Sequence, residues 1–347
     1  MPHIYPQLSI AKIIEETAAA KTFLLEPVDG KLPPYRSGQF INLVFPGLNE
    51  EHRRSYSFSS SFENGEPMAI TVKYVPNGIY SRRLVDYAQT GDRLSYSGIS
   101  GLFTLPPDTA LYSQLFFFAA GSGITPVFAL IKTALKQHPH LNIRLVYSNR
   151  SWKETIFYEA LCDLQKQYKD RFAIKFLFSV SKDLLNARLN NFMITDMMQD
   201  LAHRPFSQTL FYICGPFEYM DTVIITLLTE GVPREHIYKE NFATFIPQIK
   251  AEPPDRDAHE VRIVYQDELL RMRVQYPTTI LQQAKAQGIV LPYSCESGQC
   301  GSCTARCTSG KVWMYYNEVL TDRELKQGMV LTCTGFPVEG DVELRYD

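Results

Sequence analysis

The spacing of four cysteines near the end of the chain constrains its fold and chemistry more than any other feature. Cys295, Cys300 and Cys303 lie within nine residues, and Cys333 follows after a long gap. This spacing is typical of plant-type 2Fe–2S centres. Glycine and serine fill the short loop, so its backbone can fold tightly around the sulfurs. A zinc knot or plain buried thiols are the alternatives, but zinc knots usually contain two close cysteine pairs, and only one C-x2-C pair is present.

Composition limits the remaining possibilities. The chain has 347 residues and a net charge of −2, which predicts two or three domains and argues against a polycationic surface for nucleic acid or membranes. Three further cysteines, Cys162, Cys214 and Cys307, make the total odd and favour a reducing compartment over a disulfide framework. We expect a cytoplasmic protein, because the first residues do not read as a signal peptide and the longest apolar run is too short to span a bilayer.

Hydrophobic patterning divides the chain into three parts. Short apolar or alternating runs in the first third predict a small β-barrel or sandwich. From residue 115 onward, strands alternate with helices, which predicts a doubly wound parallel sheet. A proline-rich, charged stretch at 246–258 reads as a linker, and a two-stranded pair and a short helix capped by Thr278 or Thr279 follow it. The predicted strands are 40–45, 68–74, 93–96, 115–120, 143–147, 172–180, 210–214, 261–265 and 272–276, and the helices are 127–135, 155–168, 194–201, 216–230 and 279–286.

A first candidate binding motif is Arg54-Ser55-Tyr56-Ser57. An arginine fork suits a phosphate, a tyrosine can lie against a flat ring, and a serine can donate to a ring nitrogen. A second segment supplies Val72 and Lys73, followed by a turn from Gly78 to Ser81 whose backbone N–H groups suit a pyrophosphate. An arginine and a tyrosine on an ordinary strand surface, and a plain hairpin loop, are the alternatives.

The second half of a nucleotide site is predicted at the carboxyl edge of the parallel sheet. Gly121-Ser-Gly123-Ile-Thr125-Pro126 joins a buried strand to a helix, where dinucleotide phosphates meet a helix N-terminus. Proline is natural in that first turn. The other candidates follow neighbouring strands: Ser148 and Arg150, Lys182, and Cys214-Gly215-Pro216. Arg150 and Lys182 are candidates for a 2′-phosphate, although solvated loop side chains are an equal alternative.

These motifs, taken in order, resemble the ferredoxin-NADP reductase superfamily with a ferredoxin domain fused at the C-terminus, and in particular the reductase components of multicomponent oxygenases. The resemblance implies an antiparallel β-barrel flavin domain at 1–108, an α/β nucleotide domain at 109–245, a linker at 246–258 and a β-grasp 2Fe–2S ferredoxin domain at 259–347. It favours FAD, on the form of Lys73 and the turn from Gly78 to Ser81, while FMN and the choice between NADH and NADPH stay open; Arg150 and Lys182 favour NADPH.

The resemblance also implies residue roles. Arg54 and Ser81 would hold the FAD pyrophosphate, Tyr56 would pack on the flavin ring, and Ser57 would lie near its reactive nitrogen. Cys214 would lie where hydride passes to the flavin. Glu240 and Phe242 belong to a segment that returns to the flavin, with Phe242 against the ring. The residues expected to border the nicotinamide nucleotide are Gly121, Gly123, Thr125 and Pro126, and the expected cluster ligands are Cys295, Cys300, Cys303 and Cys333.

The implied activity is electron transfer from NAD(P)H through FAD to a 2Fe–2S cluster, and from there to an oxygenase or another metalloprotein that docks transiently. The alternative is a sensor of redox or iron status with negligible turnover. The chain has no DNA-binding motif or basic patch that would favour it. The sequence does not name the electron acceptor or the oligomeric state.

Overall fold

The structure is a computed structural model that describes residues 5–47, 51–183, 187–200, 206–242 and 251–346. The chain divides into two compact units, Met1–Phe242 and Ala243–Asp347. Within the described residues, no helix combines the length and the apolar character needed to cross a lipid bilayer.

The first unit begins with an antiparallel sheet in the order β4-β3-β6-β1-β2-β5. Its strands are β1 (Gln7–Thr17), β2 (Ala20–Pro27), β3 (Phe40–Pro46), β4 (Glu51–Ser57), β5 (Ala69–Lys73) and β6 (Arg93–Ser100). A bridge between Phe58 and Ile70 joins the two edges, which closes the sheet into a barrel. Alternating side chains such as Phe23, Leu25 and Ile41 fill its interior.

The apolar runs in the sequence predicted β3, β5 and the first half of β6 correctly, but they did not indicate β1, β2 or β4. In β1 the side chains beyond Ile10 are half-buried or exposed and include several charges, so its apolar alternation is weak. The turn predicted from Gly78 to Ser81 proves to be the start of α1 (Ile79–Arg82), and a second helical segment, Arg83–Tyr87, continues it.

The second sheet of this unit is fully parallel, as predicted, in the order β11-β10-β7-β8-β9. Its strands are β7 (Gln114–Ala120), β8 (Asn142–Asn149), β9 (Phe172–Phe178), β10 (Thr209–Cys214) and β11 (Ile237–Glu240). Its helices are α2 (Ile124–Gln137), α3 (Tyr158–Gln167), α4 (Asn191–Asp200) and α5 (Phe217–Thr229). The strand order reverses beside β7, since β8 and β9 follow on one side of it and β10 and β11 on the other, and this is the point where open α/β sheets bind ligands.

Two details of the predicted helices are wrong. Helix α3 begins at Tyr158 rather than at residue 155, because Phe157 adopts a left-handed conformation with φ of 60° that ends the preceding turn. The apolar pattern of the predicted helix 216–230 places both Leu227 and Leu228 on its inner face, but Leu228 is 42% exposed on α5, whereas Leu227 is fully buried. Both leucines fit the apolar pattern, and only the packing against the sheet separates them. Leu201 in the predicted helix 194–201 lies outside the described residues.

The second unit contains a mixed sheet in the order β13-β12-β16-β14-β15. Its strands are β12 (His259–Tyr265), β13 (Glu268–Val274), β14 (Thr304–Met314), β15 (Met329–Leu331) and β16 (Gly335–Arg345), and its helices are α6 (Ile280–Ala286) and α7 (Asp322–Lys326). Thr279 caps α6 as predicted, in a reciprocal bond pair with Gln282, and the helix packs on the sheet through buried Ile280 and Leu281. This is the β-grasp arrangement of a ferredoxin domain.

The described end of the predicted linker is bonded to this second unit. The Asp255 carboxylate accepts hydrogen bonds from the backbone N–H of Glu339 at 2.8 Å and from the His259 ring at 2.7 Å. These bonds and the N–H of Asp257 hold the pKa of Asp255 low, near 2. The stretch 251–258 is therefore fastened to the ferredoxin-type sheet, and 246–250 lies outside the described residues.

Candidate functional site

A cavity of about 370 Å³ opens at the edge of the barrel and next to the start of α2. Its volume suits a small-molecule or cofactor site. The wall brings together ten residues that the sequence analysis singled out from separate segments. They are Arg54, Ser55, Tyr56, Ser57, Val72, Lys73, Gly78, Ser81, Thr125 and Phe242.

Arg54 and Tyr56 lie on the same face of β4 and give the cavity a charged end and an aromatic wall. The Arg54 guanidinium lies 5.0 Å from the centre of the Tyr80 ring, and its NH1 donates to the Arg53 carbonyl. Its outer face is exposed and can meet a phosphate. Burial raises the pKa of Tyr56, so its phenol stays neutral. This combination suits a ligand with a flat ring and a phosphate.

The segment after β5 shows why a glycine stands at position 78. A Cβ at Gly78 would lie 2.5 Å from the Ser81 Oγ, and the Ser81 hydroxyl donates to the Gly78 carbonyl at 3.2 Å. The missing side chain lets the first turn of α1 close against the cavity wall. Backbone N–H groups and the Ser81 hydroxyl therefore line the same wall as Arg54, and the residues present fit an FAD pyrophosphate.

The glycine motif and the cysteine motif of the parallel sheet are in direct contact. A Cβ on Gly123 would lie 2.1 Å from the Cys214 carbonyl oxygen, so only glycine allows this approach. Gly121 has φ of +54°, and a Cβ there would lie 3.5 Å from the Lys73 Nζ. Lys73 from the barrel thus lies beside the glycine motif. Pro126 sits in the first turn of α2, as expected.

Cys214 pairs in register with Glu240 on the neighbouring strand. The Cys214 thiol is buried, and burial raises its pKa, so it remains protonated. Glu240 is half-buried, but its Oε2 is shielded from solvent and has no hydrogen-bond partner among the described residues. Burial raises the pKa of Glu240 to about 8, so the carboxyl can hold a proton at neutral pH. Gly215 and Pro216 lead from this pair into α5.

Two tyrosine hydroxyls hold the backbone around the glycine motif. Tyr147 donates to the Gly121 carbonyl at 2.9 Å, and Tyr219 donates to the Ala119 carbonyl at 3.1 Å. Neither tyrosine was singled out in the sequence. Their spacing gives no signal, because the contacts depend on the order of the strands and on the packing of α5.

The candidate 2′-phosphate residues lie on adjacent loops but outside the cavity wall. The backbone N–H of Val180 donates to the Arg150 carbonyl at 3.2 Å, which brings the loops after β8 and β9 together. Arg150 is exposed and lies 3.9 Å from Glu154, and Lys182 is also exposed. Ser148, at the end of β8, has a buried Oγ. The arrangement leaves both cations accessible.

The cysteine loop brings four thiols into two pairs. The Cys300 thiol donates to the Cys295 sulfur and lowers the pKa of Cys295, and the Cys333 thiol donates to the Cys303 sulfur, which raises the pKa of Cys333. None of the seven cysteines forms a disulfide. Among the described residues, no group of three or more histidine, cysteine, aspartate or glutamate side chains is arranged to hold a single metal ion. Two thiol pairs suit two irons better than one zinc ion.

The surroundings of the loop also fit a cluster with sulfur acceptors. Backbone N–H groups of Ser297 and Ser302 point at the sulfurs of Cys295 and Cys300 at 3.4 and 3.5 Å. The Thr334 hydroxyl is fully buried and has no partner in the described part of the chain. Such donors are the usual partners of cluster sulfurs. Cys307 lies on β14, where its thiol donates to the Ser309 carbonyl.

Other cavity residues were missed in the sequence. Thr71, Val75, Asn77, Ile79, Tyr80 and Ser122 complete the wall. All of them except Val75 adjoin a predicted residue in the sequence, and Ile79, Tyr80 and Ser122 lie inside predicted motifs. Thr71 could have been suspected, because it is a polar residue between the apolar Ile70 and Val72 of β5.

Three protein-family profiles match the chain in order. An oxidoreductase FAD-binding domain matches residues 7–105, an oxidoreductase NAD-binding domain matches 117–224, and a 2Fe-2S iron-sulfur cluster binding domain matches 265–338. Together they account for the barrel, the parallel sheet and the mixed sheet.

Relatives align over nearly the whole length. One of the subunits of 1,2-phenylacetyl-CoA epoxidase from Escherichia coli K12 is 31% identical, and the alignment covers 99% of this chain and 98% of the relative. The ferredoxin reductase component of 3-ketosteroid-9-alpha-monooxygenase from Rhodococcus rhodochrous is 31% identical, over 98% and 96% of the two chains. The likeness to an oxygenase reductase component favours the reductase interpretation over the sensor.

Among solved structures, phthalate dioxygenase reductase shares the fold, with a TM-score of 0.60, 23% identity and coverage of 99% of this chain and 98% of that chain. The domain order, the sequence identity and the fold agree with one another. The chain therefore belongs to the ferredoxin-NADP reductase superfamily, as an NAD(P)H-dependent reductase with an FAD domain, a nucleotide domain and a C-terminal 2Fe–2S ferredoxin domain.

Proposed function

We propose that this protein is the reductase component of a multicomponent oxygenase and delivers single electrons to a metalloprotein partner. The observation that carries the proposal is that one chain holds both a flavin-sized cavity beside a nucleotide-type sheet edge and a loop with two thiol pairs. The relatives named above are components of an epoxidase and a monooxygenase. The partner would dock transiently, as electron-transfer partners commonly do.

We propose the following residue roles, which the shape and lining of the cavity support. Arg54 and the Ser81 hydroxyl would hold the FAD pyrophosphate, Tyr56 and Phe242 would pack on the flavin ring, and Ser57 would donate to it. When bound, FAD accepts a hydride and returns its electrons singly, which is chemistry that no side chain supplies. Ser55, Val72, Lys73 and Gly78 complete the predicted contacts.

On the opposite side of the site, Gly121, Gly123, Thr125 and Pro126 would border the nicotinamide nucleotide. Cys214, neutral and buried, would pack against the reacting ring without introducing a charge. Glu240 would keep its proton near neutral pH and so add no negative charge beside a site that receives hydride. Arg150 and Lys182 would meet a 2′-phosphate, with Ser148 beside them and Gly215 and Pro216 at the rim.

In the ferredoxin domain, Cys295 and Cys300 would bind one iron, and Cys303 and Cys333 the other. The domain boundaries at 108, 245 and 258 stay our proposal. A cytoplasmic location also stays a proposal, supported by seven cysteines without a disulfide.

Reduction of cytochrome c, a one-electron metalloprotein acceptor, tests this function. Anaerobically reconstituted protein should reduce cytochrome c with NADH or NADPH. The same preparation, stripped of iron by a chelator but retaining FAD, should lose this activity and still oxidise the nicotinamide with ferricyanide. Equal cytochrome c reduction with and without iron would overturn the proposal.

A further inference from the structure

A row of hydroxyl groups leads away from the cavity wall. Thr71 on β5 lines the cavity and is 95% buried, with 5% of its surface exposed. Its Oγ1 lies 2.7 Å from the Thr22 Oγ1 on β2, and the Thr22 hydroxyl donates to the Glu16 Oε1 at 2.7 Å. Thr22 and Thr71 are direct cross-strand partners. Three oxygens in hydrogen-bond distance therefore connect a residue of the cavity wall to a carboxylate at the end of β1.

The row lies on the outer face of the barrel. Ile70 and Val72 point into the barrel core, so Thr71 between them points the other way. Glu16 at the far end is only partly buried and feels the charge of Lys132 on α2. The row thus runs from the cavity wall to a group within reach of solvent.

The reaction requires an exit for a proton. Oxidation of NAD(P)H to NAD(P)⁺ releases two electrons and one proton, and both electrons leave singly through an iron–sulfur cluster that takes up no proton in the balance. The hydride brings that proton into the cavity. One proton per turnover must therefore travel from the cavity to solvent.

We propose that the hydroxyls of Thr71 and Thr22 carry this proton from the cavity to the Glu16 carboxylate, which releases it to solvent. The inference rests on the proposed function. Each hydroxyl accepts a proton on one side and gives up its own on the other, so no bond to carbon changes. Thr71 and Thr22 act as relay residues, and Glu16 is the acceptor at the exit.

Thr71 also offers a switch. Its hydroxyl has one proton and two hydroxyl neighbours, because it donates to the Ser59 Oγ at 2.8 Å and also lies 2.7 Å from the Thr22 Oγ1. When the Thr71 proton points at Thr22, the three oxygens are aligned for outward transfer. When it points at Ser59, the path is interrupted.

The charges around Glu16 suit an exit acid. Burial raises the pKa of Glu16, the Thr22 hydrogen bond lowers it, and Lys132 lowers it further. Lys132 is itself paired with Glu66, and burial lowers the pKa of Lys132. Glu15 and Lys21 face each other at 3.9 Å nearby and carry opposite charges. Glu16 is therefore neither isolated nor locked in a strong ion pair.

A second hydroxyl network separates a relay from a simple structural contact. Thr133 on α2 bonds to the hydroxyls of Ser37 and Ser61 at 2.7 Å each, is 4% exposed, and does not line the cavity. The hydroxyl network of Thr133 is similar to that of Thr22 in burial and chemistry, but none of its three residues lines the cavity. Thr133→Val is therefore the matched control.

Thr22→Val keeps the shape of the side chain and removes the hydroxyl. In steady-state cytochrome c reduction with NAD(P)H, in which both electrons and the proton must leave the flavin site, we expect Thr22→Val to turn over about tenfold more slowly, with a changed solvent deuterium isotope effect. This is less than the roughly 100-fold that a positioned proton-transfer group typically contributes, because water in the open cavity offers a second exit. Thr22→Ser should restore the rate, and Thr133→Val should match the parent protein.

An infrared readout is independent of turnover. Reduced-minus-oxidised difference spectra of the FAD-loaded protein, reduced electrochemically without nicotinamide, should show a carboxyl band that disappears in Glu16→Gln and shifts in Thr22→Val. Glu16→Gln should also slow steady-state cytochrome c reduction, and added formate should partly rescue it. If Thr22→Val fails to bind FAD, Glu16→Gln decides.

The relay is overturned if Glu16→Gln and Thr22→Val reduce cytochrome c at the parent rate with an unchanged isotope effect, or if Thr133→Val slows this reaction equally. These results leave the proposed function intact. Failure of the parent protein to reduce its cluster would instead contradict the proposed function.

Discussion

The flavin cavity of the first unit and the cysteine loop of the second unit are built in opposite ways. Three of the four proposed cluster ligands come from one short loop, between Cys295 and Cys303, and the chain has to return only once, at Cys333. The flavin cavity collects its wall from β4, β5, α1, the start of α2 and Phe242. A local loop can be recognised from spacing alone, whereas an assembled cavity depends on strand order and register. A substitution of a cysteine in the loop should therefore abolish cluster binding, whereas a substitution in the cavity wall should only weaken cofactor or nucleotide binding.

The largest effect is expected in the loop. Cys300→Ser removes one of two thiols in a pair, so the cluster should be lost and cytochrome c reduction should fall to background. Nicotinamide oxidation with ferricyanide should stay near the parent rate, because the cavity is untouched. Iron and sulfide content with both assays checks this. Cys307→Ser, four residues beyond the loop, should keep both activities; a cluster-free Cys307→Ser would contradict the ligand assignment.

The next effect tests the contact that joins the two nucleotide motifs. Gly123→Ala places a Cβ 2.1 Å from the Cys214 carbonyl, and neither backbone can easily move. We expect a loss of about 3 kcal/mol in the free energy of unfolding, the upper end for overpacking, together with weaker nicotinamide binding. Gly65→Ala is the control, since a Cβ there meets open space and only the backbone conformation costs about 1 kcal/mol. Equal losses would show that the contact is unimportant.

A smaller effect is expected at the phosphate end of the cavity. Arg54→Ala removes the charged group on the wall, and FAD should bind about 10- to 100-fold more weakly, the worth of a hydrogen bond to a charged group. Titration of FAD-free protein, followed by flavin fluorescence, measures this. Arg93→Ala, at the exposed start of β6 and away from the cavity, should bind FAD normally. Unchanged affinity in Arg54→Ala would move the pyrophosphate elsewhere.

The raised pKa of Glu240 should make the free energy of unfolding depend on pH. The folded chain raises the pKa of Glu240 to about 8 from an unfolded value of about 4.3. Between these values the folded chain keeps a proton that the unfolded chain releases, so the free energy of unfolding falls as pH rises. The slope contributed by Glu240 is at most about 1.4 kcal/mol per pH unit.

Glu240→Gln should remove that slope between pH 5 and 8, as estimated from the same two pKa values, about 4.3 and about 8. Denaturation followed by circular dichroism at several pH values measures it. Glu235→Gln, in the exposed turn before β11, should keep the parent slope. A parent-like slope in Glu240→Gln would show that its carboxyl is ionised in the folded state.

The smallest effect concerns the choice of nucleotide. Arg150→Ala should raise the KM for NADPH by about tenfold or less, because exposed charge contacts are weak, and leave the KM for NADH unchanged. Lys153→Ala, on the same loop, should change neither. If the KM for NADH rises in parallel in Arg150→Ala, the 2′-phosphate role is wrong.

The contrast between loop and cavity also explains how far the sequence could be read. The domain order, the parallel sheet and the capped helix at Thr279 follow from local patterns and motifs. The pairing of Cys214 with Glu240 follows only from the order of strands, and the Thr22–Thr71 contact only from the register of β2 against β5. Leu228 was misplaced because the apolar stripe on α5 is wider than the face that the sheet covers.

Anaerobic titration of the reconstituted protein with NADH or NADPH tests the central claim most directly. Flavin and iron–sulfur absorbance should both bleach. The reduced cluster should give an electron paramagnetic resonance signal that Cys300→Ser lacks. Bleaching of the flavin while the cluster stays oxidised would contradict the central claim.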